Sequence, residues 1–222
     1  MNTRLYPYQK EGIIRIMEAG RVLLADDMGL GKTIQAIAAI ELFHKYLDVN
    51  KVLIICPTSL KYQWKSEIQK FTGRYSLIIE GLIHKRKELY SEKDFIKIIS
   101  YGAGRNDSEF INNWRPDLMI IDEAQRIKNW KTQTARSVKK IQSEYLIVLT
   151  GTPLENRIDE IHSIVEYIDR YRLGQKNILT CSILFQKAQL NTGYCIYLVL
   201  RNLFLPGLLR MKGRMKLCLK VS

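Results

Sequence analysis

Residues 21–41 read R-V-L-L-A-D-D-M-G-L-G-K-T-I-Q-A-I-A-A-I-E, and their order sets the fold class. Val22 to Ala25 is a short apolar run that predicts a buried strand. A turn bearing Gly29 and Gly31 follows, and the apolar spacing from Lys32 onward predicts an amphipathic helix. Strand, glycine turn and helix are the succession that a phosphate-binding loop needs. Without a Cβ, the two glycines let the backbone take positive φ and turn successive N–H groups inward. The helix behind them adds its unpaired N–H groups and the positive end of its dipole. Lys32 offers a mobile point charge to β- and γ-phosphates, and the Thr33 hydroxyl suits a Mg²⁺ ion. The candidate nucleotide-binding set in this stretch is Asp27, Met28, Gly29, Leu30, Gly31, Lys32 and Thr33. The general pattern G-x-x-x-x-G-K-[ST] has glycine where this chain has Asp26.

The rest of the chain supports a single α/β lobe. Its 222 residues make one large domain, with an apolar fraction of 46% that can supply a substantial core. The opening M-N-T-R-L-Y-P-Y-Q-K has no apolar core, so no secretory signal is expected and the expected location is cytoplasmic: nucleoid-associated in a prokaryote, nuclear in a eukaryote. Cys56, Cys181, Cys195 and Cys218 form no C-x-x-C pair, which predicts a reduced protein without disulfides. Cys56 lies in an apolar run and reads as a small core hydrophobe. His44, His84 and His162 are scattered and predict no metal site.

Taken in order, L-Y-P-Y-Q-K-E-G-I-I-R-I-M (5–17) predicts a helix with Pro7 in its first turn and Ile13, Ile14 and Met17 on its apolar face. Gln9, near the start of that helix, carries an amide that can pair with an adenine edge. K-V-L-I-I-C (51–56) is continuously apolar, as expected of a parallel strand covered on both faces. Pro57, Thr58 and Ser59 then fall at its carboxyl end, where open α/β sheets bind ligands. Leu60, Trp64, Ile68 and Phe71 follow at helical spacing, and Trp64 reads as core. Ser76–Ile79 and Phe95–Ser100 predict two more strands. The His84-Lys85-Arg86-Lys87 run between them reads as a solvated face.

Two further strand ends carry chemistry. L-M-I-I-D-E-A-Q (118–125) delivers Asp122, suited to hold Mg²⁺, and Glu123, suited to accept a proton from an attacking water. With Lys32, these are the candidate catalytic residues. Y-L-I-V-L-T-G-T-P-L-E-N (145–156) ends in hydroxyls at Thr150 and Thr152 around Gly151, within reach of the Asp122–Glu123 segment. Ile158, Ile161, Ile164, Val165 and Ile168 then predict one more helix face.

These motifs together resemble the N-terminal motor lobe of the Swi/Snf family of helicase-like, DNA-dependent ATPases, within helicase superfamily two. The resemblance spans about residues 5–174. L-Y-P-Y-Q-K-E-G is similar to the family's adenine-reading motif, which places that role on Gln9. D-D-M-G-L-G-K-T is similar to its phosphate loop, P-T-S-L-K-Y-Q-W and I-I-S-Y-G to its DNA-backbone motifs, and L-T-G-T-P-L-E-N to its coupling motif. The resemblance implies a three-layer α/β/α, RecA-like lobe with a mainly parallel sheet. It implies ATP and Mg²⁺ as cofactors and double-stranded DNA as partner, with no membrane. Hydrolysis would drive movement along duplex DNA and remodelling of protein–DNA complexes. Contacts to DNA fall to Thr58 and Ser100, and coupling falls to Gln125, Thr150, Gly151 and Thr152. Gln125 stands where the family usually has histidine, and Arg157 where it often has asparagine.

A complete motor of this family has a second RecA-like lobe that supplies arginines across the nucleotide, so this chain reads as a fragment with little turnover of its own. Residues 175–222 read as a divergent basic tail. From Arg172 onward there are nine Lys/Arg and no Asp or Glu. The preceding residues hold the other 26 basic residues against all 22 acidic ones, a net of +4 within the total of +13. An acid-free run of this length is expected about once in a thousand at the preceding composition. A tail that is out of frame after a frameshift near 175–180, or disordered, is the expectation; a genuine basic extension is the alternative. Two other readings stay open: a non-catalytic nucleotide- or DNA-binding remnant, and an RNA helicase of the same superfamily.

Overall fold

A computed structural model of the chain describes residues 4–25, 29–127, 132–151, 167–168, 185–190 and 193–199. Helix α1 (Pro7–Ala19) leads into β1 (Arg21–Leu24), and α2 (Lys32–Leu47) into β2 (Val52–Cys56). A 3-10 turn (Thr58–Leu60) opens directly into α3 (Lys61–Thr72), followed by β3 (Leu77–Ile78), α4 (Ile83–Ser91) and β4 (Ile96–Ser100). The short helices α5 (Tyr101–Asn106) and α6 (Ser108–Trp114) precede β5 (Leu118–Ile121). A second 3-10 turn (Ala124–Ile127), α7 (Gln133–Lys139) and β6 (Tyr145–Leu149) come next, then β7 (Phe185–Leu190) and β8 (Gly193–Val199).

The strands form one sheet in the order β3-β4-β2-β5-β6-β1-β8-β7. From β3 to β1 every neighbouring pair is parallel. β8 joins β1 antiparallel, through Val22↔Val199 to Leu24↔Tyr197, and pairs with β7 as a hairpin. These two strands come from the region read as a divergent tail; the remaining residues of 175–222, including the expected frameshift point, lie outside the described residues.

Parallel strands reconnect through helices that cross the sheet faces, so both faces are covered and the strands are apolar throughout. The side-chain period of two splits each strand between two cores. Val22, Leu24, Ile54, Ile98, Ile120 and Ile147 pack under α1, α2 and α3 with Ile16, Ile40, Phe43, Trp64 and Ile68. Leu23, Leu53, Ile55, Ile99, Ile121 and Val148 pack on the opposite side with Tyr90 of α4, Tyr101 of α5, Ile111 of α6 and Val138 of α7. The result is a three-layer α/β/α lobe with a mainly parallel sheet.

Apart from Arg21 and Ser100 at strand ends, one parallel strand carries a polar residue in its middle. Lys97 of β4 is fully buried, and its ammonium donates to the carbonyls of Leu89 (2.9 Å) and Glu92 (2.7 Å) at the end of α4. Burial pulls its pKa down, and those carbonyls supply the hydrogen bonds that a buried cation requires. Of the helix predicted beyond residue 156, the described residues are Tyr167 and Ile168, both buried. Arg21 holds them by donating to the carbonyls of Ile168 (2.7 Å) and Tyr167 (3.1 Å), and it also donates to Ser143 (2.7 Å).

Candidate functional site

The strand register collects the candidate residues on one edge of the lobe. Leu24↔Leu149, Ile121↔Val148, Ile55↔Ile121 and Cys56↔Ser100 are Cα partners in parallel ladders. The residues that follow β1, β6, β5 and β2, with Ser100 at the end of β4, therefore emerge side by side at the carboxyl ends of the strands. Ligands of open α/β sheets bind at this edge.

At the β1 end, Gly31 caps α2 with φ 75° and ψ 42°, and Gly29 has φ 84°. Both are left-handed values that favour glycine. A Cβ on Gly31 would lie 2.6 Å from Gln9 Nε2 and 3.0 Å from Ile34 Cγ2, whereas one on Gly29 would meet nothing within 4 Å. The reason for the crowding is Gln9 itself, which is 5% exposed and folded against the loop. Its Oε1 accepts from Tyr6 N–H (3.0 Å), and its Nε2 donates to the Leu30 carbonyl (3.3 Å), which also accepts from Tyr8 Oη (3.2 Å). Tyr6 and Tyr8 stack at 5.8 Å between centroids, with Tyr6 largely exposed. Helix α1 is thereby tied to the glycine loop by side chains 21 and 22 residues away in sequence. Asp27 and Met28, with Asp26, lie outside the described residues. Lys32 and Thr33 form the first turn of α2, half-buried, where the helix has N–H groups without intrahelical partners.

Asp122 follows β5 and is 9% exposed. Its Oδ2 accepts from Trp64 Nε1 (2.8 Å) and its Oδ1 from the N–H of Glu123 (2.9 Å). Burial pushes the Asp122 carboxyl above its ordinary range. The Trp64 bond opposes that shift, the Glu123 charge adds to it, and the Glu123 N–H and the Lys32 charge oppose it further. A divalent cation here would invert that balance, because its charge favours the ionised carboxylate. The donor set of Asp122 carboxylate and Thr33 hydroxyl is hard oxygen, which fits Mg²⁺. A glycine whose missing Cβ leaves room against the Gln9 amide fits a loop shaped to admit phosphate.

Glu123 has φ 55°, a left-handed conformation that costs a non-glycine residue about 1–3 kcal/mol. Tyr101 Oη restrains it by donating to the carbonyls of Asp122 (2.6 Å) and Glu123 (3.3 Å). The Glu123 carboxylate accepts a hydrogen bond from Gln125 Nε2. Thr150 Oγ1 in turn donates to Gln125 Oε1 (3.2 Å), and Thr150 N–H donates to the Leu24 carbonyl (3.2 Å). One hydrogen-bonded path therefore runs from β1 through Thr150 and Gln125 to Glu123. Gly151 follows half-buried; Thr152, Pro153 and Arg157 lie outside the described residues.

Of the candidate nucleic-acid contacts, Thr58 is exposed at the turn after β2. Ser100 is half-buried, and its Oγ accepts from Ala103 N–H (3.2 Å) as the N-cap of α5. The basic run at 84–87 does not behave as one solvated face. His84, Lys85 and Lys87 are exposed, but Arg86 turns inward. It grips fully buried Asp107 with two bonds of 2.7 Å and donates to the Gly81 carbonyl (2.6 Å). The cause is Asp107, a buried carboxylate that needs a paired cation.

Two residues that serve the site carry no candidate role in the sequence. Trp64 is core, as its spacing predicts, yet its N–H reaches Asp122. Tyr101 falls within the I-I-S-Y-G motif, yet its hydroxyl braces the carboxylate turn. A buried indole or phenol has one polar atom that requires a partner; Trp64 lies past β2, the neighbour of β5, and Tyr101 past β4, one strand further on. That is the signal that points to them.

A profile of the SNF2-related domain family matches residues 8–216. The SWI2/SNF2 ATPase core of Sulfolobus solfataricus, solved in complex with dsDNA, superposes with a TM-score of 0.71 at 34% identity, covering 79% of this chain and 38% of that one. Human DNA repair and recombination protein RAD54B is 35% identical over 188 residues, covering 77% of this chain and 21% of RAD54B. An uncharacterized ATP-dependent helicase of Mycoplasma genitalium, MG018, is 37% identical over 179 residues, covering 78% of this chain and 17% of that protein. The chain thus spans about one fifth of the length of these curated relatives. A family match over most of its length and a solved relative of the same architecture establish that the chain belongs to the SNF2-related domain family, as a Swi/Snf-type, helicase-like lobe of RecA-like α/β fold.

Proposed function

We propose that the chain is the ATP-binding lobe of a DNA-dependent ATPase that couples hydrolysis to movement on double-stranded DNA and to remodelling of protein–DNA complexes. The observation that carries this reading is the convergence, at one sheet edge, of the Gly31–Lys32–Thr33 helix start, the Asp122–Glu123 pair and the Thr150–Gln125 path. In this reading the loop N–H groups and Lys32 hold the phosphates, and Gln9, already fixed against the loop, reads the adenine edge. Thr33 and Asp122 hold Mg²⁺, which when bound supplies charge neutralisation along the phosphates. Glu123 accepts a proton from water, and its side chain is oriented by Gln125. Because Gln125 also bonds Thr150, a change at the end of β6 alters the orientation of Glu123, which supports a coupling role for these residues.

Exposed Thr58 at the end of β2, and the Ser100 turn beside it, offer a backbone contact to duplex DNA. The S. solfataricus relative was solved with dsDNA, and RAD54B is named for DNA repair and recombination; both favour DNA over RNA as the partner. Arginines that stabilise phosphoryl transfer are worth about 10³–10⁵ in rate, and in this family a second lobe carries them. The isolated chain is accordingly expected to bind Mg-ATP and turn it over slowly, in the cytoplasm or wherever its DNA resides. The test is Mg-ATP turnover by the purified chain with and without duplex DNA or RNA, beside Lys32→Ala. Turnover that duplex DNA stimulates more than RNA, and that Lys32→Ala abolishes, supports a working motor. Nucleotide binding with no turnover under any condition supports a lobe that needs a partner. Turnover indifferent to Lys32 contradicts the reading.

A further inference from the structure

Trp64 lies in the apolar layer beneath α3, 2% exposed. A phenylalanine would serve that layer almost as well. What tryptophan adds is one donor, and the donor points at Asp122 Oδ2 at 2.8 Å. The other oxygen, Oδ1, accepts from Glu123 N–H. A carboxylate held at both oxygens by donors from two separate elements has its plane fixed. Each oxygen keeps one further acceptor position in a side chain that is 9% exposed.

The donor is itself fixed. Helix α3 is pinned at its start by Lys61 Nζ to Glu80 Oε2 (2.5 Å), and just past its end by Arg74 to Glu41 of α2 (2.5 and 3.1 Å). The Trp64 N–H therefore approaches Asp122 from a rigid support rather than from a loop. Ligands on metal ions are oriented by such outer contacts, whose loss typically weakens metal binding about 10–100-fold.

We propose that Trp64 is a positioning residue whose indole N–H fixes the Asp122 carboxylate for a divalent cation. The inference rests on the nucleotide-binding function given above. The test uses the full chain, a fluorescent ATP analogue and a Mg²⁺ titration. Trp64→Phe keeps the ring and removes the N–H. The Mg²⁺ needed for half-maximal analogue binding should rise about 10–100-fold, while binding in EDTA stays as in the wild type. Ile68→Val, on the same helix and fully buried, trims packing alone and should leave the Mg²⁺ requirement unchanged.

A second measurement needs no variant at position 64. Trp64, Trp114 and Trp130 are the three tryptophans, so ¹⁵N-indole labelling gives three resonances, assigned with Trp114→Phe and Trp130→Phe. Adding Mg²⁺ to the nucleotide-bound chain should move the Trp64 resonance and leave that of Trp114 in place. A Trp64→Phe chain with wild-type Mg²⁺ dependence, or a Trp64 resonance indifferent to Mg²⁺, overturns the inference alone. A wild-type chain that binds no analogue overturns the functional reading and the inference together.

Discussion

Substituting Gly31 by alanine separates two demands that the glycine loop makes on its sequence. The first is conformational: at φ 75° a Cβ costs about 1–2 kcal/mol. The second is spatial, since the new methyl would sit 2.6 Å from Gln9 Nε2 and 3.0 Å from Ile34 Cγ2. The Gln9 amide must then move off the Leu30 carbonyl or off the Tyr6 N–H, at about 0.5–1.5 kcal/mol for each bond lost. The two demands together give about 1.5–3.5 kcal/mol when one bond is lost. Gly29→Ala is the internal control. Its φ is 84° but its Cβ meets nothing within 4 Å, so the conformational part alone remains, about 1–2 kcal/mol. Urea unfolding of both variants, read as a midpoint shift at constant slope, measures the difference. Gly31→Ala should be the less stable of the two. It should also bind an ATP analogue more weakly than Gly29→Ala, because it displaces the Gln9 side chain. Equal stability of the two variants would refute the account of Gln9 packed against the loop.

Three further outcomes follow from the same structure. Arg86→Ala strands the fully buried Asp107 carboxylate and should cost about 3–5 kcal/mol by urea unfolding; Arg15→Ala, which removes a mostly exposed pair with Glu11, should cost under about 0.5 kcal/mol. Asp122→Asn, measured in EDTA, should raise stability at pH 8. The folded-state pKa of Asp122 is raised above its unfolded value, chiefly by burial, so the native state binds the proton more tightly and the ionised group destabilises it. That penalty is complete above the folded pKa and fades as pH falls towards the ordinary carboxylate value, so the advantage of the asparagine should shrink on acidification; a gain that stays constant with pH would contradict the assigned cause. The Cys56 thiol is pushed up to about 12, first by burial and then by the Asp122 charge. Peptide mapping after iodoacetamide at pH 8 should find Cys56 unmodified in the folded chain and alkylated in urea, since the thiolate is the reactive form.

The fold was legible because parallel strands leave a strong trace. V-L-I-I-C, L-M-I-I and Y-L-I-V-L are apolar at every position, and no amphipathic element looks like that. The glycine turn was legible as an element boundary because strand, glycines and helix follow one another within a dozen residues, and the structure starts α2 at Lys32 as that pattern predicts. What escaped reading depends on contacts between distant segments. Gln9 is buried because the Leu30 carbonyl, 21 residues away, lies within its reach. Trp64 meets Asp122 because β2 and β5 are neighbours in the sheet, a fact of topology that helical spacing does not encode. Arg86 reads as one of three cations in the 84–87 run, and it is set apart by a buried aspartate 21 residues downstream. Lys97, buried in the middle of a strand, is tolerated because the end of α4 presents two carbonyls to it.

The central claim is that one Mg-nucleotide sits at the sheet edge between the Lys32 helix start and Asp122. Calorimetric titration of Mg-ATP into the wild-type chain, Lys32→Ala and Asp122→Asn tests it most directly. The account predicts a single site per chain, lost or severely weakened in Lys32→Ala, with the Mg²⁺ dependence of binding abolished in Asp122→Asn. A wild-type chain that binds no nucleotide, or variants that bind it as the wild type does with the same Mg²⁺ dependence, would contradict it.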